Sequence, residues 1–384
     1  MTETPAATAP GPKPADQPAD QPVAGRDTET ARGFLAWCAL AFAISFAVAW
    51  AYVAVMPMAF LGRDYPLWVA KRTLMDQCRL GSVLVFGDSR TLAATVPNVM
   101  PLPVTNLAQS GSSAIETYFS LRRALRCPTP PKLVVISHSA IKFTGDVDYW
   151  DSFARNGVLD YADMRAVARD AAALHDRELI DLQPAAQLQP ALRETLFALR
   201  FPPFYFGSLT NGVIAARWHY NRQVVQDTLR SAGHAVFGTD PGSSELADEA
   251  RDPSFRTSPL VDLYFSRSLA LLAEHHIPAL FVSMPINHAT WVRMPAEYSN
   301  RFRAYLQAKM REFPQLRVVG DATPCWPDRF FGDAWHFNAQ GAVEYSRWFG
   351  GLLRDELADR PGQDLPNTCP DASDARGEPT VTLR

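Results

Sequence analysis

The chain has 384 residues, of which 47% are hydrophobic and 20% are charged, and its formal net charge at pH 7 is −3. This length and composition predict one large α/β domain or two small ones with a substantial core, and they exclude a chain that is disordered throughout. The near balance of acidic and basic residues gives no electrostatic support for a nucleic-acid partner, so that class is excluded as well.

The N-terminal region divides into a polar tail and an apolar segment. Residues 1–32 are rich in Ala, Pro and Thr without apolar periodicity, which predicts a disordered tail. No charged residue occurs from 34 to 61, and at about 1.5 Å per residue this run is long enough to cross a hydrocarbon core of roughly 30 Å. We predict a transmembrane helix over 34–61. A cleaved signal peptide is one alternative, but its apolar region is usually shorter and begins nearer the N-terminus. A buried apolar helix of a soluble domain is the other.

The charges beside this segment favour a cytoplasmic C-terminal domain, because Arg26 and Arg32 precede it whereas Arg63, Lys71 and Arg72 follow it. A large domain is translocated largely regardless of flanking charge. The count alone therefore does not decide the orientation.

Cysteine usage also leaves the compartment open. Cys38 lies inside the apolar segment, and the other four cysteines can form two disulfides in three ways. Cys78 and Cys127 flank a predicted βα unit, and Cys325 and Cys369 bracket the predicted C-terminal helix. Disulfides at these positions require an oxidising compartment, and free thiols are the alternative.

Short apolar runs alternate with helical patterns through most of the remaining chain. Strands are predicted over 82–86, 132–137, 279–284 and 316–319, and helices over 116–126, 261–275, 297–313 and 339–356. Near-continuous apolar strands that alternate with helices predict a doubly wound parallel sheet covered on both faces.

The alternation stops between about 145 and 260. This segment is helical and Ala-rich through Leu199 and then carries a cluster of aromatic residues. We interpret it as a helical insertion in a domain over 63–358, and its aromatic side chains as core rather than as a surface for sugar rings or lipid. Residues 360–384 are polar and rich in Pro, Asp and Gly, which predicts a C-terminal tail without fixed structure.

A serine stands where the first predicted strand ends. The sequence Gly87-Asp88-Ser89-Arg90 follows that strand and precedes a helix start, which places the Ser89 hydroxyl at the carboxyl edge of the sheet, where open α/β sheets carry their sites. A serine alcohol is a poor nucleophile unless a base takes its proton. The alternative is that Ser89 is only a helix N-cap. Arg90 is either a ligand for an anionic or sugar group or a member of a salt bridge.

Of the eight histidines, His336 alone has an aspartate three positions earlier. Asp333 and His336 lie between the last predicted strand and the last predicted helix, for which Asn338 is the expected N-cap. Such a loop holds Asp333 against one imidazole nitrogen and turns the other nitrogen toward Ser89, as a catalytic triad requires. A structural hydrogen-bonded pair is the alternative.

These residues resemble the SGNH or GDSL hydrolase superfamily, whose fold is a flavodoxin-like sandwich with a parallel sheet. Its first block is the Gly-Asp-Ser found here at Ser89, and its C-terminal Asp-x-x-His matches Asp333 and His336. Its second block, Asn-x-x-x-x-Gly, matches Asn106 and Gly111.

The resemblance implies an oxyanion hole formed by the main-chain N–H groups of Ser89 and Gly111, with Asn106 in the same substrate-binding region. The third block departs from the family pattern, because Ser137-His138-Ser139 stands where the family has Gly-x-Asn. Ser139 is therefore the candidate third donor, and His138 and Asn287 are the alternatives.

An apolar anchor, an SGNH-like domain and a large insertion together resemble bacterial proteins that O-acetylate exopolysaccharides, of the cellulose synthase operon accessory or alginate acetylation type. The resemblance implies a single-pass inner-membrane protein with a periplasmic catalytic domain. It also implies a polysaccharide substrate such as cellulose, and a membrane acyltransferase or polysaccharide synthase complex as partner.

We therefore expect an O-acetyltransferase or acetylesterase that uses no cofactor and no metal ion. The sequence has neither metal-ligand spacing nor a Gly-rich phosphate loop. The alternatives are a non-catalytic glycan-binding or scaffolding subunit, and an esterase for lipids or small esters.

Overall fold

The computed structural model describes residues 11, 24–145, 149–176, 188–214, 216–251, 255–358, 360 and 369. The chain divides into two compact units, one that ends at Ala51 and one that begins at Tyr52. The predicted tails lie largely outside the described residues: 1–10, 12–23, 361–368 and 370–384 belong to the tails and are not described.

The first helix, α1, covers Ala24–Val55, so it begins within the predicted tail and ends six residues before the predicted end of the span. Its segment Thr30–Val55 is long and apolar enough to cross a membrane, and only 6% of its most apolar 18-residue window is buried. Pro57 explains the early end, because a proline disfavours the helical conformation of the residue before it, here Met56.

The second unit is built on a sheet of five parallel strands. The strands are β1 Val83–Gly87, β2 Val104–Asn106, β3 Leu133–Ser137, β4 Ala279–Val282 and β6 Leu316–Val319, and their order is β2-β1-β3-β4-β6. A separate parallel pair joins β5 Ile286–Asn287 to β7 Cys325–Trp326. The prediction of a parallel α/β sheet is confirmed, and the chain reverses direction across the sheet between β1 and β3, where doubly wound folds carry their sites.

The remaining helices connect and cover these strands. They are α2 Pro57–Phe60, α3 Asp64–Asp76, α4 Ser89–Ala94, α5 Ala114–Ala124, α6 Tyr161–Ala173, α7 Pro190–Ala198, α8 Phe206–Ile214, α9 Arg217–Arg230, α10 Asp248–Arg251, α11 Pro259–Glu274, α12 His288–Trp291, α13 Ala296–Glu312 and α14 Ala339–Leu357. Short turns of 3-10 helix occur at Pro97–Val99, Ala140–Phe143, Pro202–Tyr205 and Asp328–Phe330, and a π-helical turn occurs at Tyr149–Ala154.

Two hydrophobic cores lie on opposite faces of the sheet, because successive strand side chains alternate between its faces. Leu84 and Phe86 of β1 pack with α5, α11 and α13 on one face. Val83 and Val85 pack with α14 on the other. Helices on both faces explain why the strands are apolar at nearly every position.

The insertion between β3 and α11 is helical, and its described residues contain no strand. Trp150 and Tyr205 are buried at 2% and 0% exposure, as expected for core residues. Phe206 and Trp218 are 69% and 37% exposed, so the core interpretation is wrong for those two side chains.

Two disulfides, Cys78–Cys127 and Cys325–Cys369, have Cα separations of 5.5 and 5.8 Å. The first joins the residues that follow α3 and α5, and the second joins β7 to residue 369. This is one of the three pairings that the sequence allows.

Candidate active site

Ser89 is the first residue of α4 and follows directly from β1 at the carboxyl edge of the sheet. The N-cap is Asp88, whose carboxylate accepts hydrogen bonds from the backbone N–H groups of Arg90 and Thr91 at 2.9 and 3.5 Å. The N-cap interpretation of Ser89 is therefore wrong. Ser89 is half-buried, and its hydroxyl has no hydrogen-bond partner in the described part of the chain.

Asp88 also anchors the end of the neighbouring strand β3. Its Oδ2 accepts hydrogen bonds from Ser139, from the backbone N–H at 2.8 Å and from the hydroxyl at 2.5 Å. Both donors of Ser139 are thus engaged by Asp88. Ser139 therefore holds the turn that carries Ser89, and its role as a third oxyanion donor stays a prediction that these contacts do not favour.

The charge of Asp88 has an identifiable origin. Burial raises the pKa of its carboxyl, but positive charge on His138 and Arg90 and the hydrogen bonds from Ser139 outweigh burial and hold the pKa below its usual range. Burial lowers the pKa of His138 to about 4, so His138 is neutral at neutral pH. At neutral pH, Arg90 and Ser139 therefore stabilise the ionised carboxylate of Asp88.

His138 lies beneath the turn and is 1% exposed. Its Nε2 is 2.9 Å from the hydroxyl of Thr117 on α5. A buried ring held in this way links the end of β3 to the neighbouring helix and is not available as a surface donor for substrate.

Asn106 is completely buried at the end of β2. Its side-chain N–H₂ donates to the carbonyl oxygens of Leu92 and Thr95 at 3.1 and 2.9 Å, and its carbonyl oxygen accepts from the backbone of Ala108 at 3.1 Å. These bonds satisfy carbonyl groups at the end of α4, where helical partners are lacking. In the structure, Asn106 joins α4 to the loop after β2 and leaves no amide group for a substrate.

Gly111 lies in the loop between β2 and α5 with φ of +74°, a conformation that favours glycine. Neither its backbone N–H nor that of Ser89 donates a hydrogen bond within the described residues. The two donors that the family resemblance implies for an oxyanion hole are therefore not engaged by other groups of the described residues.

Asp333 orients the imidazole of His336. Its carboxylate oxygens lie 2.8 and 3.0 Å from Nδ1 and also accept hydrogen bonds from the backbone N–H groups of Trp335 and His336. Burial raises the pKa of Asp333, but the hydrogen bonds and charge of His336 and the backbone bonds hold the pKa below its usual range. An ionised Asp333 fixes the tautomer that carries its proton on Nδ1.

His336 Nε2 is buried and has no hydrogen-bond partner among the described residues. With Nδ1 protonated, Nε2 is a proton acceptor. A buried acceptor without a partner costs about 1–3 kcal/mol, and such a group in a native structure calls for an explanation.

The insertion contributes a wall to this imidazole. Phe237 stacks on His336 with ring centroids 4.9 Å apart, and it also packs against the buried cluster formed by Leu67, Leu92 of α4 and Ala108. Gly238 and Gly332 meet so closely that a Cβ on Gly238 would lie 2.7 Å from the Cα of Gly332. The insertion therefore fixes the His336 loop beside the helix that begins at Ser89.

Helix α10 of the insertion joins the two halves of the candidate triad. Glu249 forms a buried ion pair with Arg90, the residue after Ser89, at 2.8 Å. Its neighbour Asp248 accepts a hydrogen bond from the indole N–H of Trp335 at 3.2 Å. Adjacent residues of one helix thus bind the neighbours of Ser89 and His336, which brings Ser89, Asp333 and His336 to the same edge of the sheet.

The Ser89 hydroxyl and His336 Nε2 do not hydrogen-bond to each other, since each lacks a partner in the described chain. Asn287, another candidate donor, is buried and donates to the carbonyl oxygens of Ser243 and Glu245 at 3.2 and 2.7 Å. It positions the insertion rather than an oxyanion.

Sequence reasoning missed Phe237, Asp248 and Glu249. They lie in the insertion, where neither a motif nor a regular spacing marks them. The pairing of Glu249 with Arg90 decides between the two interpretations of Arg90 in favour of a salt bridge.

No protein-family model matches the chain, and no curated protein shows significant sequence similarity to it. No group of three or more His, Cys, Asp or Glu side chains that could hold a metal ion occurs in the described residues.

Proposed function

We propose that this protein is a membrane-anchored serine acyl-ester enzyme of the SGNH type. The observation that carries the proposal is the environment of His336: a carboxylate holds Nδ1, and Nε2 is an unpaired acceptor beside the helix that begins at Ser89. A structural histidine normally has hydrogen bonds at both nitrogens, whereas a general base needs one nitrogen free.

In the proposed reaction, Ser89 Oγ attacks the acyl carbon of an ester while His336 Nε2 takes its proton. Asp333 stabilises the resulting imidazolium, and the N–H groups of Ser89 and Gly111 donate to the oxyanion. His336 then returns the proton to the leaving alcohol, and an acyl-Ser89 intermediate remains. Transfer of this acyl group to water gives an esterase, and transfer to a sugar hydroxyl gives an acyltransferase.

The missing hydrogen bond between Ser89 and His336 agrees with a site that is completed by substrate. Catalytic hydrogen bonds are often long or misaligned in free enzymes and shorten in the substrate complex. A rotation of the Ser89 side chain about its χ1 angle is the smallest movement that changes this distance, because α4 fixes the backbone.

The proposed substrate is an O-acetylated extracellular polysaccharide such as cellulose, and the proposed partners are a membrane acyltransferase or a polysaccharide synthase complex. The apolar helix Thr30–Val55 supports single-pass anchoring. The two disulfides support a periplasmic domain, because disulfides persist in oxidising compartments and are rare in the cytosol. The test of orientation is a fusion, after Glu356, to a reporter that works only in the cytoplasm. Activity of that reporter would overturn the periplasmic assignment.

The test of the proposal is release of p-nitrophenol from p-nitrophenyl acetate by the full chain in detergent. We expect Ser89→Ala to lower kcat/KM by on the order of 10³-fold or more, because the covalent step is lost. Ser244→Ala is the matched control, since Ser244 is an exposed serine of the insertion. Equal activity of wild type and Ser89→Ala would refute Ser89 as the nucleophile.

The second candidate function is a non-catalytic scaffolding or glycan-binding subunit. The observation that favours it is the third block, where both donors of Ser139 bind Asp88 and leave no third oxyanion donor there. A folded wild type that hydrolyses no ester, with or without its membrane partner, would favour this candidate.

A further inference from the structure

A cavity of about 300 Å³ lies between α3, α9 and residues 231–236. This volume is at the lower end of small-molecule sites, which span roughly 300–1,000 Å³. One wall is a face of α9 that carries Tyr220, Val224, Asp227 and Thr228, as their spacing of three and four positions allows. The reaction proposed above uses none of these residues.

Several polar groups that line the cavity have no partner in the described structure. The hydroxyl groups of Tyr220 and Thr228 make no hydrogen bond, although Thr228 is only 2% exposed. His234 Nε2 lies 3.1 Å from the carbonyl oxygen of Ala93. Because a carbonyl only accepts, Nε2 carries the proton, and Nδ1 of the neutral ring is left as an acceptor.

The imidazole of His234 is neutral because burial lowers its pKa, against the effect of the hydrogen bond to Ala93. The cavity therefore offers uncharged groups that both donate and accept. The two charged side chains that line the cavity already have partners. Asp227 pairs with Arg230, and Arg63 donates a hydrogen bond to the carbonyl oxygen of Val236.

This lining excludes several ligand classes. A phosphate or carboxylate would lie beside the carboxylate of Asp227, and the two guanidinium groups nearby already have partners: Arg230 pairs with Asp227, and Arg63 packs 4.1 Å over Phe237. A lipid chain would leave the Thr228 hydroxyl and His234 Nδ1 buried without partners, at a cost of about 1–3 kcal/mol each. A sugar ring offers hydroxyl groups that donate and accept, and an apolar face for the exposed ring of Tyr220.

We propose that this cavity is a binding subsite for a neutral hexose ring, and, on the basis of the proposed function, that the ring belongs to the polysaccharide from which or to which Ser89 transfers an acyl group.

The subsite adjoins the candidate triad. Val236 lines the cavity, and the next residue, Phe237, stacks on His336 at 4.9 Å. The side chain of Phe237 thus lies between a sugar ring bound in the cavity and the imidazole of His336. Residues 231–237 of the insertion connect polymer binding to the reacting centre.

The test is calorimetric titration of the full chain in detergent with cellohexaose as the neutral probe. We expect Tyr220→Ala to weaken binding about tenfold, because it removes the stacking surface. Tyr161→Ala is the matched control, since Tyr161 is also an exposed tyrosine, at 45% against 53%, but lies outside the cavity. Thr228→Val keeps the side-chain shape and removes one hydroxyl, so it should weaken binding about fivefold.

Failure of cellohexaose to bind, or equal binding to wild type, Tyr220→Ala and Thr228→Val, would disprove the subsite. Tighter binding of an acidic mannuronate hexamer than of cellohexaose would overturn its neutral character. Hydrolysis of p-nitrophenyl acetate is measured on the same preparation. Hydrolysis without cellohexaose binding refutes the subsite alone, whereas binding without hydrolysis supports the subsite and favours the non-catalytic candidate.

Discussion

The turn at Ser89 and the loop at His336 reach the same edge of the sheet by different means. The carboxylate of Asp88 is buried and is held by residues at the ends of two adjacent strands. The side chain of Asp333 is 32% exposed, and its loop is supported from outside the sheet by Phe237 and Gly238.

This difference teaches that the turn at Ser89 is held by buried contacts, to the end of β3 through Ser139 and to α10 through Glu249, whereas the loop at His336 is held by partly exposed contacts with the insertion. We therefore expect substitutions in the buried contacts around Ser89 to lower the free energy of unfolding. Substitutions in the contacts between the insertion and the His336 loop should lower it less. Three variants test this comparison.

The largest effect is expected where the insertion contacts the turn at Ser89. Glu249→Ala leaves the guanidinium of Arg90 buried without its partner, which typically costs about 3–5 kcal/mol in the free energy of unfolding. Glu297→Ala, which removes an exposed ion pair with Arg301, is the matched control and should cost less than about 1 kcal/mol. Denaturant unfolding in detergent measures both.

If Glu249→Ala does not accumulate as folded protein, the double variant Arg90→Met with Glu249→Leu tests the same idea. Replacement of both charges by apolar side chains is often neutral or stabilising. A double variant no more stable than Glu249→Ala would show that an unpaired charge is not the cause of the loss.

A smaller effect is expected from His138, beneath the same turn. Its pKa is about 4 in the folded chain, against a usual value of about 6.5, so the unfolded chain binds a proton first as the pH falls. The contribution of neutral His138 to the free energy of unfolding is fully present above about pH 6.5. About 3 kcal/mol of it is lost as the pH falls toward 4.

His138→Gln should flatten the pH dependence of the free energy of unfolding over this range, because glutamine does not titrate. His275→Gln, at an exposed histidine that follows α11, is the control and should keep the wild-type profile. An unchanged slope in His138→Gln would assign the acid sensitivity to other groups.

The smallest effect is expected at the His336 loop. Trp335→Phe removes the hydrogen bond from the indole N–H to the carboxylate of Asp248, and a typical bond of this kind contributes about 1 kcal/mol to stability. Trp218→Phe is the control, because Trp218 is 37% exposed and makes no hydrogen bond in the described chain. A loss for Trp335→Phe as large as that for Glu249→Ala would refute the contrast between the two regions.

Much of the fold was predictable because its elements depend on local patterns. The four predicted strands lie within one or two residues of those observed, since buried parallel strands require apolar side chains on both faces. The helices from Ala114 onward that pack on the sheet were also predictable from their periodicity. The end of α1 was misplaced, although Pro57 marks it in the sequence.

The site was predictable only in part. Ser89, Asp333 and His336 follow from spacing and from their positions after strands, whereas the roles of Asn106 and Ser139 became visible only through their hydrogen bonds. Both side chains could in principle bind a substrate. Burial directs them instead to groups of their own chain, because buried donors and acceptors must be paired.

Lys71 shows that the sequence alone also does not reveal which charged side chains are buried. The sequence counts it among the basic residues that follow the apolar segment, but in the folded chain it is fully buried, its Nζ has no partner in the described residues, and burial lowers its pKa well below the usual value. It is therefore not a surface charge of the folded domain. The sequence by itself determined β1, β3, β4 and β6, the helices from Ala114 onward that cover them and the spacing of the predicted triad, because these depend on neighbours along the chain. It did not predict the short strands β2, β5 and β7. The tertiary structure alone decided which polar groups are buried together and that α10 and Phe237 support the site, because those contacts join residues far apart in sequence.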